Sequence, residues 1–154
     1  MSTTTDGPAP TDSRRVDQLL AHYGESHRNP RNSAIHCVAI PLIMVSLVGL
    51  MYAMHPLVAY AFLLASMVYY ARLGSPVFLA SMAAISLLGV ALVQSLGSYV
   101  LQVSALVFVL AWVAQFVGHR IEGRKPSFFE DLQYLWVGPL FVLAKLYGKL
   151  GIRG

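Results

Sequence analysis

Between Cys37 and Gly118 the chain carries a single charged side chain, Arg72. A stretch this long and this apolar is enough for about four helices of roughly 20 residues, the length needed to cross a bilayer. Charged residues make up only 12% of the chain and hydrophobic ones 56%. A soluble domain carries about 25% charged residues, so this sequence lacks the polar surface to fold in water. No period-two alternation is present, which a membrane barrel would require. The expected fold is therefore all-α: a polytopic helical membrane protein with about four transmembrane helices.

The lone cysteine, Cys37, excludes an internal disulfide and a cysteine-rich zinc site. The net charge is +4. Its basic residues gather at the ends of apolar segments, a pattern of membrane orientation and not of nucleic-acid binding.

Residues 1–12, rich in Thr, Pro, Gly and Asp, are expected to form a disordered tail. Residues 13–154 are expected to form one membrane-embedded helical domain, with no signal peptide ahead of it. It opens with an amphipathic leading helix, to about Tyr23, whose Val16, Leu19, Leu20 and Tyr23 share one face and suit the interface. Asn29-Pro30 then reads as an N-cap and first helical residue. The first span follows from about His36 to Met54, with a kink expected at Pro41. Three more spans are expected at about Leu57–Tyr70, Val77–Leu96 and Tyr99–Gly118, the last continuing to Glu122. The second is short and needs tilt or local thinning. Ser127 to Glu130 resembles a capping box opening a last helix. Its apolar part, about Leu135 to Ala144, is short and holds Gly138-Pro139, which is expected to interrupt it. This last helix is expected to be re-entrant or interfacial.

Basic residues then fix the topology. Arg14, Arg15, Arg28 and Arg31 precede the first span, Arg72 lies in the middle loop, and Arg120, Arg124 and Lys125 follow the fourth. The turns at His55 and Gly97 have none. Four spans put every one of these charges on one side, which the positive-inside rule makes cytoplasmic. That arrangement brings two polar stretches together, Tyr23 to Pro41 and Trp112 to Pro126, and with them His27, His36 and His119.

His119 and Glu122 lie three apart on one helical face, in a stripe with Trp112 and Gln115. Asn32 and His36 share a face four apart. Three imidazoles and a carboxylate can hold one ion, and without a thiolate such a set suits iron, zinc or manganese. Glu122 can instead be a carboxylate that orients an imidazole from behind. Histidines in spans also serve as plain bridges between helices. The residues alone leave these choices open.

The stretch YGESHRNPRNSAIHCVAIPLI resembles the opening motif (H-x4-N-x3-H-x4-P) of a small membrane-protein family. QFVGHRIEGRKPSFFEDL resembles its closing motif (QF-x-GH-x2-E-x3-P). The family is that of 2-hydroxy fatty acid dioxygenases typified by a yeast endoplasmic-reticulum enzyme, which acts in the metabolism of phytosphingosine to odd-numbered fatty acids. The resemblance covers about Tyr23 to Leu143. It implies an Fe(II)-dependent α-oxidation of a long-chain 2-hydroxy fatty acid by molecular oxygen, giving an acid one carbon shorter and carbon dioxide. Carried over by position, the matching catalytic residues are His27, Asn32, His36, His119 and Glu122. The metal ligands are then His27, His36 and His119, with Glu122 a further candidate. No 2-oxoglutarate or nicotinamide is expected, because the substrate supplies all the electrons. Arg28, Arg31, Arg120, Arg124 and Lys125 are the candidates to anchor the substrate carboxylate. The chain departs from the family at Ala39, Ser127 and Lys145, where Gly, Ala and an acidic residue are frequent.

Two other classes compete. A small transporter would line its path with polar residues, yet here they cluster at one end of the spans. A non-enzymatic membrane scaffold would use the same polar motifs as clamps between helices. The expected location is an integral membrane position with the site facing the cytoplasm, in a bacterial inner membrane in preference to the endoplasmic reticulum.

Overall fold

Three helices open in the same way, with a polar cap followed by proline. In the computed structural model, which describes residues 18, 20–21, 29–123 and 135–150, Pro30–Met54 forms α1, Pro56–Ala71 α2 and Pro76–Ser95 α3. Their caps are Asn29, His55 and Ser75, whose side chains accept from the amides of Arg31, Leu57 and Phe78. Proline fits the first turn because its missing N–H has no partner there in any helix. A 3₁₀ turn at Gly97–Tyr99 leads into α4, Val100–Glu122, which stops at Gly123 with φ 78°. That left-handed conformation suits glycine and ends the helix. A fifth helix, α5, spans Val137–Leu150.

The expected spans agree with α1 to α4 to within a residue or two at most ends, and α1 runs unbroken through Pro41. By length and composition, α1, α3 and α4 with its leading turn can each cross a membrane. The 16 residues of α2 reach only about 24 Å, less than the ~30 Å of a hydrocarbon core. Leu64, Leu87, Leu88 and Leu110 point outward, each more than half exposed. An apolar surface of this extent belongs against lipid. The chain is an all-α membrane protein.

The last helix differs from expectation at one point. Gly138-Pro139 does not interrupt α5 but sits in its first turn, where a proline takes away no needed hydrogen bond. The helix packs inward. Leu140 and Leu143 are buried with Tyr70, Leu73, Phe78 and Met82 around the α2–α3 turn. Val137 and Phe141 cover Ile40 of α1. Trp136 donates from Nε1 to Ser66 at 2.9 Å, and its carbonyl accepts from the Tyr70 hydroxyl. Tyr147 meets Ser81. The tail at residues 1–12 and the capping box at 127–130 lie outside the described residues, as does most of the leading helix. Gln18, Leu20 and Ala21 of that helix are helical, and Leu20 packs against both α5 clusters.

α1 is the central helix, touching α2, α3, α4 and α5. Its approach to α4 is set by small residues, as is usual where lipid gives no hydrophobic drive between helices. A Cβ on Gly49 would lie 2.0 Å from Ser104 Oγ and 3.0 Å from its Cβ. Gly49→Ala should therefore lower stability by about 1–3 kcal/mol, as overpacking does. Adding Ser104→Ala should recover part of that loss. Thermal unfolding in detergent of the single and double variants checks both steps.

Candidate metal centre at the meeting of α1 and α4

The first turns of α1 and the last turns of α4 lie together at one end of the bundle. The link is Glu122, the last residue of α4. Its carboxylate accepts from the Asn29 backbone N–H at 3.1 and 3.0 Å, one distance to each oxygen. Oε2 also accepts from Asn32 Nδ2 at 2.9 Å. A carboxylate at the start of α1 also meets the positive end of the helix dipole. The two polar stretches are thus tied directly.

Inside this clamp, His36 and His119 face each other. Their ring centroids are 4.9 Å apart, and the planes cross at 84°. His36 and Asn32 have no exposed surface, and His119 is 7% exposed. His36 Nδ1 lies 3.0 Å from the Asn32 carbonyl oxygen. A carbonyl only accepts, so Nδ1 is the donor, and in a neutral ring the lone pair would lie on Nε2. This is how imidazole ligands are commonly oriented by the group behind them. Glu122 is linked to His36 through Asn32.

Gly118 makes the approach possible. A Cβ there would lie 2.5 Å from Asn32 Oδ1 and 3.2 Å from His36 Cε1 and Nδ1. Both neighbours are fully buried and have nowhere to move. Gly118→Ala is expected to push α1 from α4 and destabilise by about 1–3 kcal/mol. It should also displace Asn32 and His36 and lose most of the site's activity. A Gly118→Ala protein with wild-type unfolding temperature and metal content would contradict this account.

Two buried amide oxygens border the pair. Asn32 Oδ1 and Gln115 Oε1 have no hydrogen-bond donor among the described residues. Leaving such an atom unsatisfied costs about 1–3 kcal/mol, and a cation or a water molecule could satisfy either. Imidazole nitrogen with carboxylate and amide oxygen is a donor set for iron, zinc or manganese. Two rings this close can share one ion, whose bonds to nitrogen are about 2.1 Å. No three His, Cys, Asp or Glu side chains form a metal-holding group among the described residues. The described part contributes two imidazoles, and the residues present fit such an ion as part of its shell.

The other sequence candidates divide plainly. His27, Arg28, Arg124 and Lys125 lie outside the described residues. Arg31 and Arg120 are exposed on the flanks of α1 and α4. Sequence reasoning passed over Gly118 and the Asn29 amide. The glycine beside His119 in a helical span was the available signal for the first. Nothing local marks the second, because a backbone N–H is the same at every residue.

Comparison with known proteins gives the family. Residues 13–150 match the family model described as "2-hydroxy-palmitic acid dioxygenase Mpo1-like". The chain is 30% identical over 139 residues to 2-hydroxy-palmitic acid dioxygenase MPO1 of Saccharomyces cerevisiae, covering 86% of this chain and 79% of that protein. No solved structure matches. With the match running from the leading segment to the end of α5 and taking in both halves of the α1–α4 site, the chain belongs to the Mpo1-like family.

Proposed function

We propose that this protein is an iron(II)-dependent dioxygenase that shortens long-chain 2-hydroxy fatty acids by one carbon and releases carbon dioxide. The observation that carries the reading is the buried His36–His119 pair in a chain of this family. His36, His119 and His27 are the residues that would hold the iron. Bound iron(II) with open positions supplies the electron transfer that lets oxygen react with a chelating 2-hydroxy acid.

The chain's own residues prepare that chemistry. The Asn32 carbonyl keeps the proton of His36 on Nδ1. Glu122 fixes Asn32 and joins the ends of α1 and α4. The tight crossing at Gly118 keeps bulk water from His36 and Asn32. The reaction balances as 2-hydroxy acid plus oxygen giving the shortened acid, carbon dioxide and water. No 2-oxoglutarate or nicotinamide enters it. In this reading the site end faces the cytoplasm. Arg31, Arg72, Arg120, Lys145 and Lys149 are there, whereas the His55 and Gly97 turns at the other end carry no basic residue.

The test is metal analysis of anaerobically purified protein, followed by oxygen uptake with 2-hydroxyhexadecanoate. Near-stoichiometric iron and one oxygen consumed per shortened acid are expected. Zinc in place of iron, or no uptake by the iron-loaded protein, overturns the reading.

A further inference from the structure

Two hollows follow one another along α5, and Val142 lines both. α5 runs antiparallel to α1: Val137 and Phe141 pack on Ile40, and Lys145 reaches back to Ser33. Its second half therefore climbs towards the end of the bundle where α1 begins. The deeper hollow, about 270 Å³, lies between α1, α2, α3 and α5. Met44, Leu63, Met82 and Pro139 are among its walls, which are apolar apart from Ser86. Ile85, another wall, is exposed on α3 and sets one side of the hollow at the lipid-facing surface. The upper hollow, about 720 Å³, is a wider groove between the first turns of α1 and the second half of α5. Ser33, Lys145 and Lys149 bring polar groups to it, whereas Ala34, Cys37 and Leu146 line it with apolar surface.

This order of groups is that of one leaflet of a bilayer. Lys145 and Lys149 stand about 4.5 and 10.5 Å beyond Val142 along the helix, and both are exposed. They are four apart and share a helical face. The Lys145 ammonium donates to Ser33 Oγ and lies 5.3 Å from the centre of the Phe141 ring. Neither of these partners is an anion. Glu122 is the sole acidic side chain among the described residues, and Asn29 and Asn32 engage it. The groove thus sets two cations and a hydroxyl directly above an apolar slot. Arg72 and Arg120 share this end of the bundle yet line neither hollow.

We propose that the α1–α5 groove binds one anionic phospholipid of the leaflet at the site end, with its phosphate on Lys145 and Lys149. One acyl chain passes Val142 into the slot under α5. The lipid is not turned over, and neither hollow is lined by His36 or His119, so the site is independent of the oxygenase reading. An acidic residue is frequent at the Lys145 position in the family, so the site is a trait of this chain and no part of the shared reaction. Each basic residue at a membrane surface raises affinity for anionic lipid about fivefold, and burial of the acyl chain adds to it. A lipid seated there braces α5 against α1.

The test is native mass spectrometry of the full chain in non-ionic detergent, offered equal amounts of dioleoyl phosphatidylglycerol and dioleoyl phosphatidylcholine. The two lipids share their chains and phosphate, but choline cancels the charge. One phosphatidylglycerol should be retained, with a preference of roughly 25-fold from two lysines. Lys145→Gln and Lys149→Gln should each lower that preference about fivefold, and the double variant should abolish it. Lys145→Arg should keep it. Val142→Trp should weaken retention of both lipids and leave the preference in place. Phosphatidylglycerol should raise the unfolding temperature of the wild-type protein and leave that of the double glutamine variant unmoved. A preference that survives in the double variant overturns the proposal, and so does an equal loss in Arg72→Gln, a charge at the same end but outside the groove. Displacement of the bound lipid by glycerol phosphate at equal concentration also overturns it, because the acyl chain would then contribute nothing.

Discussion

His36→Ala and His119→Ala should each strip iron from the purified protein and lower 2-hydroxy-acid-dependent oxygen uptake by more than about 100-fold. Even groups that only orient a ligand typically cost 10–100-fold in metal affinity or activity when changed, and these two rings are proposed as ligands. The two variants should differ in stability. His36 is fully buried, and its Nδ1 hydrogen bond to Asn32 is lost with the ring. His119, at the more open side, is 7% exposed. His36→Ala should therefore unfold at a lower temperature than His119→Ala, because the cavity it leaves is the more fully enclosed. Iron content, oxygen uptake and thermal unfolding are measured together on both. Wild-type uptake in either variant sinks the oxygenase reading. Iron retained with uptake lost would move that histidine from metal ligand to proton handling.

How much of this was legible beforehand follows from what each residue's neighbours are. The near-absence of charge between Cys37 and Gly118, Arg72 apart, determines the class of fold, because backbone groups in lipid must be satisfied within each segment. The Pro30, Pro56 and Pro76 starts were readable because capping is local. The meeting of the two polar stretches was readable from Arg and Lys placement, and the Glu122–Asn29 contact is its structural counterpart. Packing was not. Gly138-Pro139 looked like a break because the true helix start depends on Trp136 reaching Ser66 and Tyr70, contacts some 70 residues away in sequence. Gly118 and Gly49 matter through atoms on another helix. The same holds for Lys145, whose closeness to Ser33 joins residues 112 apart. His27 stood beside His36 and His119 in the sequence argument, and its place lies outside the described residues.

Glu122→Ala should show whether the site's architecture depends on one side chain. Its carboxylate accepts from the Asn29 N–H with both oxygens and from Asn32 with one. Bonds to a charged acceptor contribute about 1.5–3 kcal/mol each when well shielded. Glu122 is half-buried, so a total loss near 3 kcal/mol is expected, and the bifurcated pair at Asn29 counts as little more than one bond. Asn32 would then lose its hold, and with it the carbonyl that sets the His36 tautomer. Glu122→Gln separates clamp from ligand. An amide retains one acceptor oxygen for Asn29 or Asn32 but brings an NH₂ group against the other donor. If Glu122 is the clamp, Glu122→Gln lowers the unfolding temperature and keeps its iron. If Glu122 binds the metal directly, iron is lost while the unfolding temperature of the metal-free protein barely moves. Glu122 binds the Asn29 amide and Asn32 at the start of α1, which is the clamp role. The expected result is the first: a less stable protein that still holds iron, with activity reduced about 10–100-fold, as for a group one step behind the ligands.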